Sequence, residues 1–331
     1  MATDRAGQAG TSGCAAVPVP GAAQSTRAAM RGYRLIDYLT QGYLAVVALL
    51  ILLFHGDELP HWPLFVAAHV AAIGAVHALV RLDSAYHIRV LHLLRCFYPM
   101  ILYTFLYGET HRLDGLFYHG YLDGFFIDLD QRIFGAQPSR TMMQRLPYTW
   151  VSEAFYLFYF SYYIMVLTVG LALYFRGERK FWQYITVVSF IFYVCYLTYI
   201  FLPVMGPYSA NDGLLLRGKI ASVEPRIVPA PVTAGAFYKV MGKIYDVAEP
   251  GGGAAFPSSH VAVAVATLWF TWSYLRKARL PHFAAVVLLC LATVYCGYHY
   301  AVDVLGGLAT AAVLAPLGML IHRKWDAAGV A

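Results

Sequence analysis

Gly251-Gly252-Gly253-Ala254-Ala255-Phe256-Pro257-Ser258-Ser259-His260 runs directly into Val261-Ala262-Val263-Ala264-Val265-Ala266-Thr267-Leu268-Trp269-Phe270. The second half is apolar and uncharged; the first half is a glycine-rich approach to it. Glycine lets the backbone come close to an anion, and Pro257 suits the first turn of a helix. Ser258 and Ser259 can cap that helix, whose unpaired N–H groups then face any phosphate placed there. His260, in the same first turn, adds a group that titrates near neutral pH. The stretch reads as a membrane helix whose start combines a phosphate site, including the Gly253 backbone, with a proton donor.

The surrounding chain has the composition this requires. Its 331 residues are 60% hydrophobic and only 13% charged, with a mean hydropathy of +0.57. A soluble domain carries roughly 25% charged residues. Apolar runs long enough to cross a hydrocarbon core recur along the sequence. We expect an all-α, polytopic transmembrane bundle with eight spans, at 35–54, 62–80, 93–107, 150–175, 182–203, 257–275, 282–298 and 300–321. The third is short and carries Arg95 and Pro99, which makes it the weakest of the eight.

Residues 1–26 are small and polar and are expected to form a disordered cytoplasmic tail, with a single integral membrane domain over 27–325. The first apolar run begins too late and is too long for a cleavable signal peptide. Residues 108–148 mix charges with aromatics and are expected as interfacial helices, whereas the Gly/Pro-rich 204–256 reads as a loop. Cys14, Cys96, Cys195, Cys290 and Cys296 form no Cys-x-x-Cys pair and read as packing residues. The net charge of +6 comes without a basic, aromatic-interleaved cluster outside the membrane-flanking loops, which argues against a nucleic-acid partner.

Basic residues orient the chain. With both termini cytoplasmic, the inner segments hold Arg27, Arg31 and Arg34, then Arg81, Arg89 and Arg95. They continue with Arg176, Arg179 and Lys180, Arg276, Lys277 and Arg279, and finally Arg323 and Lys324. The short outer loop His55–His61 has neither Lys nor Arg. In this orientation the span opening at Pro257 and the span ending before His299 form an antiparallel pair, so His260 and His299 reach the same non-cytoplasmic face. Asp303 lies four residues beyond His299, a spacing that places both on one face of a helix and lets the carboxylate fix the imidazole tautomer. Ionisable groups at membrane depth suggest a site. The isolated His69 and His77 are better explained by a backbone carbonyl or a neighbouring span.

At these residues the chain resembles the type-2 phosphatidic acid phosphatase superfamily. Pro257-Ser258-Ser259-His260 is similar to its second motif, and His299-Tyr300-x-x-Asp303 with Gly306-Gly307 is similar to its third. The His-Tyr-x-x-Asp form resembles the branch of inositol phosphorylceramide synthases and sphingomyelin synthases. Pro203 to Tyr208 is similar to the turn that branch carries before its second motif. The Phe134-Gly135…Pro138 stretch and the Tyr156–Tyr163 run share a less specific likeness. There are departures. Ser259 stands where the phosphatases have Gly, Thr293 stands where an arginine usually precedes the His, and the first, Lys/Arg-Pro motif has no clean match.

The resemblance implies a six-helix core, here about 110–322, that transfers phosphoryl groups on lipids through a phosphohistidine. It implies His299 as nucleophile, Asp303 as its orienting acid and His260 as proton donor and later base. Ser258, Ser259, Gly253 and Tyr208, with the loop cations Arg217, Lys219 and Arg226, are the candidate substrate-binding residues. No cofactor or metal is called for. The expected partners are a phospholipid or other lipid phosphate in the membrane and a polar alcohol acceptor; hydrolysis and transfer both stay open. The alternatives are a haem-binding membrane electron carrier, using histidines such as His69 or His77, and a non-catalytic lipid-binding or transport protein.

Overall fold

A computed structural model describes residues 32–57, 59–208, 228–248 and 252–328. The chain is helical throughout these segments. Helices α1 (Leu35–Phe54), α2 (Trp62–Tyr86) and α3 (Arg89–Leu113) come first, followed by the shorter α4 (Asp123–Phe134) and α5 (Pro138–Arg145). Next are α6 (Thr149–Tyr174), α7 (Glu178–Phe201), a single turn α8 (Ala230–Thr233) and α9 (Ala236–Ala248). The last three are α10 (Ser259–Tyr274), α11 (Arg279–Tyr295) and α12 (Ala301–Ala327). Helices dominate because hydrocarbon offers no partner for backbone N–H and C=O groups, so each segment must satisfy its own.

Seven of the described helices are long and apolar enough to cross a membrane: α1, α2, α3, α6, α7, α12, and α11 together with the 3-10 turn before it. The eighth expected span, α10, has only 16 residues. It is nonetheless enclosed, packing against α6, α7, α11 and α12. The third expected span proves to be a full 25-residue helix despite Arg95 and Pro99. The charge is tolerated because it is paired. Buried Arg95 bonds the carboxylate of Asp37 on α1, and that carboxylate also accepts from the Tyr98 hydroxyl at 2.8 Å and the Arg34 amide at 2.7 Å.

The bundle is organised around α7, which is apolar on all sides and buried on all sides, as a helix of that pattern must be. It touches α1, α3, α6, α10 and α12. Between apolar helices in a membrane there is little hydrophobic drive, so close packing and hydrogen bonds hold the contacts. Phenols supply many of them: Tyr103 Oη to Ser189 Oγ at 2.6 Å, Thr40 Oγ1 to Tyr193 Oη at 2.8 Å, and Tyr184 Oη to the Val166 carbonyl at 2.6 Å. Gly307 lets α12 approach α10; a Cβ there would lie 2.6 Å from the Ser258 carbonyl oxygen and 2.9 Å from Val261 Cβ.

The long connections carry more structure than their composition suggests. Within 108–148, α3 continues to Leu113, α4 packs on α12 and α5 packs on α11. Part of 204–256, expected as a loop, is the 13-residue helix α9 packed on α6. Its flanking glycines and prolines mask a segment with a strongly one-sided apolar pattern. Cys96, Cys195, Cys290 and Cys296 are free thiols. His69 bonds the Phe65 carbonyl at 2.9 Å and faces Glu109 at 3.3 Å, and His77 bonds Tyr33 Oη at 2.5 Å.

Candidate active site

The end of α7, the start of α10, the α11–α12 connection and α4 meet at one end of the bundle. Ser258 is the N-cap of α10, its Oγ accepting from the Val261 amide at 3.4 Å. Pro257 therefore precedes the cap instead of occupying the first helical turn. His260 sits in that first turn and is 7% exposed. Antiparallel packing of α10 and α11 brings the other histidine alongside. His299 Nε2 lies 3.5 Å from His260 Nδ1 and 3.2 Å from Ser258 Oγ. His299 is held from behind by its backbone, since the amides of Tyr298 and His299 both donate to the Thr293 carbonyl at 3.1 Å. Thr293 thus occupies a supporting position directly beneath the histidine.

Asp303 Oδ2 lies 3.4 Å from His299 Nδ1, and both groups are buried. The pair does not share a helix face, as the spacing suggested. His299 lies outside α12, whose N-cap is Tyr300; Asp303, in the first turn, folds back to accept from the Tyr300 amide at 2.8 Å. Burial lowers the His299 imidazole to about 4, with a backbone hydrogen bond to Ala255 opposing part of the shift. It is therefore neutral near pH 7. Its Nδ1 edge is turned toward Asp303, and its Nε2 faces His260 and Ser258.

The second imidazole is also oriented. Tyr159 Oη bonds His260 Nε2 at 3.1 Å and in turn bonds Tyr245 Oη. The result is a continuous line from the Asp303 carboxylate through two imidazoles to two phenols. Tyr162 packs its ring 4.5 Å from His260. Tyr298 stacks on Tyr245 at 3.8 Å, and Tyr208 completes the cluster, 5.1 Å from Tyr298. On the other side of His260, an apolar crevice of about 380 Å³ opens between α3, α6 and α7; Tyr103, Tyr107, Tyr163, Leu167 and Phe192 line it, and it ends at Ser259 and His260.

Several sequence candidates sit differently from expectation. The Gly253 amide is committed to Asp114 Oδ2 at 3.0 Å, and Gly253 packs against Pro203, so it ties the loop to the Pro203 turn. The Ser259 amide donates to Tyr199 Oη at 3.1 Å. Of the first three amides of α10, that leaves His260 N–H as the one without a partner among the described residues. Arg217, Lys219 and Arg226 lie outside the described residues.

The site also depends on two acids of α4 that were not singled out. Asp123 accepts from the Met205 amide at 2.9 Å, the Gly206 amide at 3.0 Å and Tyr300 Oη at 2.8 Å. Asp130 accepts from the amides of Ala301 and Val302, at 3.1 and 2.9 Å, and so caps the helix that carries Asp303. Gly206, at φ +82°, fits beneath the Tyr298 carbonyl, which a Cβ would approach to 2.6 Å. The available signal was the spacing of Asp123 and Asp130, seven residues apart and hence on one face of the helix.

A family model of the PAP2 superfamily matches residues 126–317, from within α4 through most of α12 and including His260, His299, Asp303 and Asp130, though not Asp123. No curated protein and no solved structure matches the chain. With more than half its length matched, and with an all-helical, membrane-spanning architecture, the chain belongs to the PAP2 superfamily, a membership that supports a lipid enzyme of phosphatase or phosphotransferase type.

Proposed function

We propose that the chain transfers a phosphoryl group from a lipid phosphate or phosphodiester by way of a phosphohistidine on His299. The observation that carries the reading is the contact of His299 Nε2 with His260 Nδ1 at 3.5 Å, with Asp303 behind the first ring. Neutral His299, its Nδ1 proton held toward Asp303, attacks phosphorus through Nε2. The bond from phosphorus to the leaving oxygen breaks as His260, protonated for this step, delivers its proton to that oxygen. The now neutral His260 then takes a proton from the acceptor, which attacks the phosphohistidine and frees His299. Positioning and charge stabilisation provide most of the acceleration in phosphoryl transfer.

A separation of 3.5 Å leaves no room for a phosphorus atom between the rings. The phosphoryl group therefore approaches from beside the pair, and His260 reaches the leaving oxygen laterally. The crevice ending on His260 is lined by aromatic and aliphatic side chains and suits an acyl chain lying within the membrane. This supports a lipid over a water-soluble phosphate ester. By the distribution of Lys and Arg, the site faces the non-cytoplasmic side.

Ser259 and Thr293, which depart from the phosphatase motifs, favour an alcohol acceptor over water. The test is turnover of a labelled lipid phosphate by purified protein, with and without inositol or diacylglycerol. Label appearing on the added alcohol supports transfer. Release of free phosphate alone, whatever alcohol is present, removes the transferase reading and leaves a phosphatase.

A further inference from the structure

The end of the bundle opposite the histidines holds a second polar cavity, and no reaction at His299 accounts for it. It has a volume of about 720 Å³ and is bounded by the start of α1, the α2–α3 connection and the α6–α7 connection; Arg34, Arg89, Arg95 and Trp182 are among the residues lining it. Trp182 and Tyr199 are 17 residues apart on α7, which at the helical rise separates this cavity from the histidine site by about 25 Å. Its N-terminal wall, from Gly32 to Arg95, lies outside the stretch matched by the PAP2 family model.

Two donors buried in its wall lack acceptors. Arg95 is 2% exposed and Trp182 is 5% exposed, yet neither Arg95 Nη1 nor Trp182 Nε1 has a hydrogen-bond partner among the described residues. A buried N–H left unpaired forfeits its hydration without replacement, the more so when it is charged, so such groups are rarely left without an acceptor. The guanidinium groups of Arg34 and Arg95 both lie over the Trp182 ring, 5.5 and 5.3 Å from its centroid. Two like charges drawn to one indole are relieved by an anion set beside them.

Acids also border the cavity, each with a neighbour of its own. His92 faces Asp83 at 3.3 Å and Glu178 at 3.5 Å, and Asp37 is bonded to Arg95. A neighbouring cavity of about 320 Å³ shares Arg34, Glu178 and Trp182 and adds two more unpartnered buried nitrogens, His322 Nδ1 and Trp325 Nε1. The missing component is a set of acceptor oxygens carrying negative charge.

We propose that this cavity binds a phosphate group, with Arg34, Arg95 and the Trp182 indole N–H as its ligands. The volume is in the range of small-molecule sites, so it accommodates more than a bare ion. The phosphate can belong to a lipid headgroup of the adjacent leaflet or to a soluble phosphate compound. Binding here joins the N-terminal helices to the core helices α6 and α7.

The test uses the full chain, purified, with thermal unfolding followed against concentration in two arms. One arm titrates inorganic phosphate in detergent; the other compares phosphatidylglycerol vesicles with phosphatidylcholine vesicles. Trp182→Phe keeps the ring and removes the donor, and Arg34→Gln removes a half-buried charge without stranding Asp37. His299→Ala reports any contribution from the histidine site. The proposal expects saturable stabilisation that persists in His299→Ala and whose midpoint shifts at least tenfold in Trp182→Phe and in Arg34→Gln. A response to phosphatidylglycerol vesicles alone assigns the phosphate to a lipid, and a response to inorganic phosphate assigns a soluble source. Absence of stabilisation in both arms, its loss in His299→Ala, or an unchanged midpoint in Trp182→Phe and Arg34→Gln overturns it.

Discussion

Asp130→Ala tests whether the acids of α4 set the position of the reacting histidine. The buried Asp130 carboxylate takes one hydrogen bond from the Ala301 amide and one from the Val302 amide, at the start of the helix that carries Asp303. Hydrogen bonds to a charged partner contribute about 1.5–3 kcal/mol each, so truncation costs about 3–6 kcal/mol. At about 2–4 °C per kcal/mol for a large domain, thermal unfolding should fall by at least 6 °C. Asp130→Asn keeps one acceptor and should lose about half as much. His299 immediately precedes this helix start, and a misplacement of about 1 Å at a reacting group costs on the order of 10²-fold in rate. Asp130 makes no contact with the histidines, so kcat should drop while KM stays within about twofold, with the Asn variant between wild type and Ala. The assays are thermal unfolding in detergent and steady-state turnover of a lipid phosphate. Unchanged kcat and unfolding temperature in Asp130→Ala, or a change in KM alone, would mean that Asp130 does not position His299.

Four further outcomes follow from the geometry. Asp303→Asn should lower kcat by about 10³–10⁴, as loss of an orienting acid does in a comparable triad, and the loss should appear in single-turnover rates. His260→Ala should slow substrates with poor leaving groups far more than activated aryl esters; equal losses across a leaving-group series would contradict its role as proton donor. Gly307→Ala should destabilise by about 1–3 kcal/mol, read as a lowered unfolding temperature, because its methyl would press on the backbone of Ser258 and on Val261. His299 titrates near 4 in the fold and near 6.5 when exposed. Its depressed value means the folded state disfavours the proton, so its contribution to stability is full above about pH 6.5 and is lost as pH falls toward 4. The neutral nucleophile accordingly persists to about pH 4, and a pH profile of single-turnover phosphorylation whose acid limb sits at 6.5 would contradict this.

Hydropathy and spacing made much of the fold legible, because in hydrocarbon the need to satisfy the backbone leaves helices as the economical solution. The reading weakened wherever a partner distant in sequence decides the outcome. The third span was underrated because Arg95 looks prohibitive in isolation, and its partner Asp37 lies on another helix. Helix α9 was hidden by the glycines and prolines on either side of it. At the site, the convergence of His260 and His299 could be argued from topology. The roles of Asp123 and Asp130 could not, since a carboxylate that accepts backbone amides of a remote loop leaves no local motif. The glycine-rich approach read as an anion cradle is, in the structure, a brace: Gly253 gives its amide to Asp114, and Val204 bridges to Ala254, its amide donating to the Gly253 carbonyl and its carbonyl accepting from the Ala255 amide.

A covalent intermediate on His299 leaves phosphate on the protein, where it can be sought. Purified His260→Ala protein would be mixed with a lipid phosphate bearing a good leaving group and quenched under basic conditions, which preserve phosphohistidine. Peptides are then mapped by mass spectrometry. A phosphoryl adduct on His299 should form within the first turnover, decay slowly without the base His260, and be absent from His299→Ala. Lipid turnover by His299→Ala at the wild-type rate, with no adduct in any variant, would contradict it.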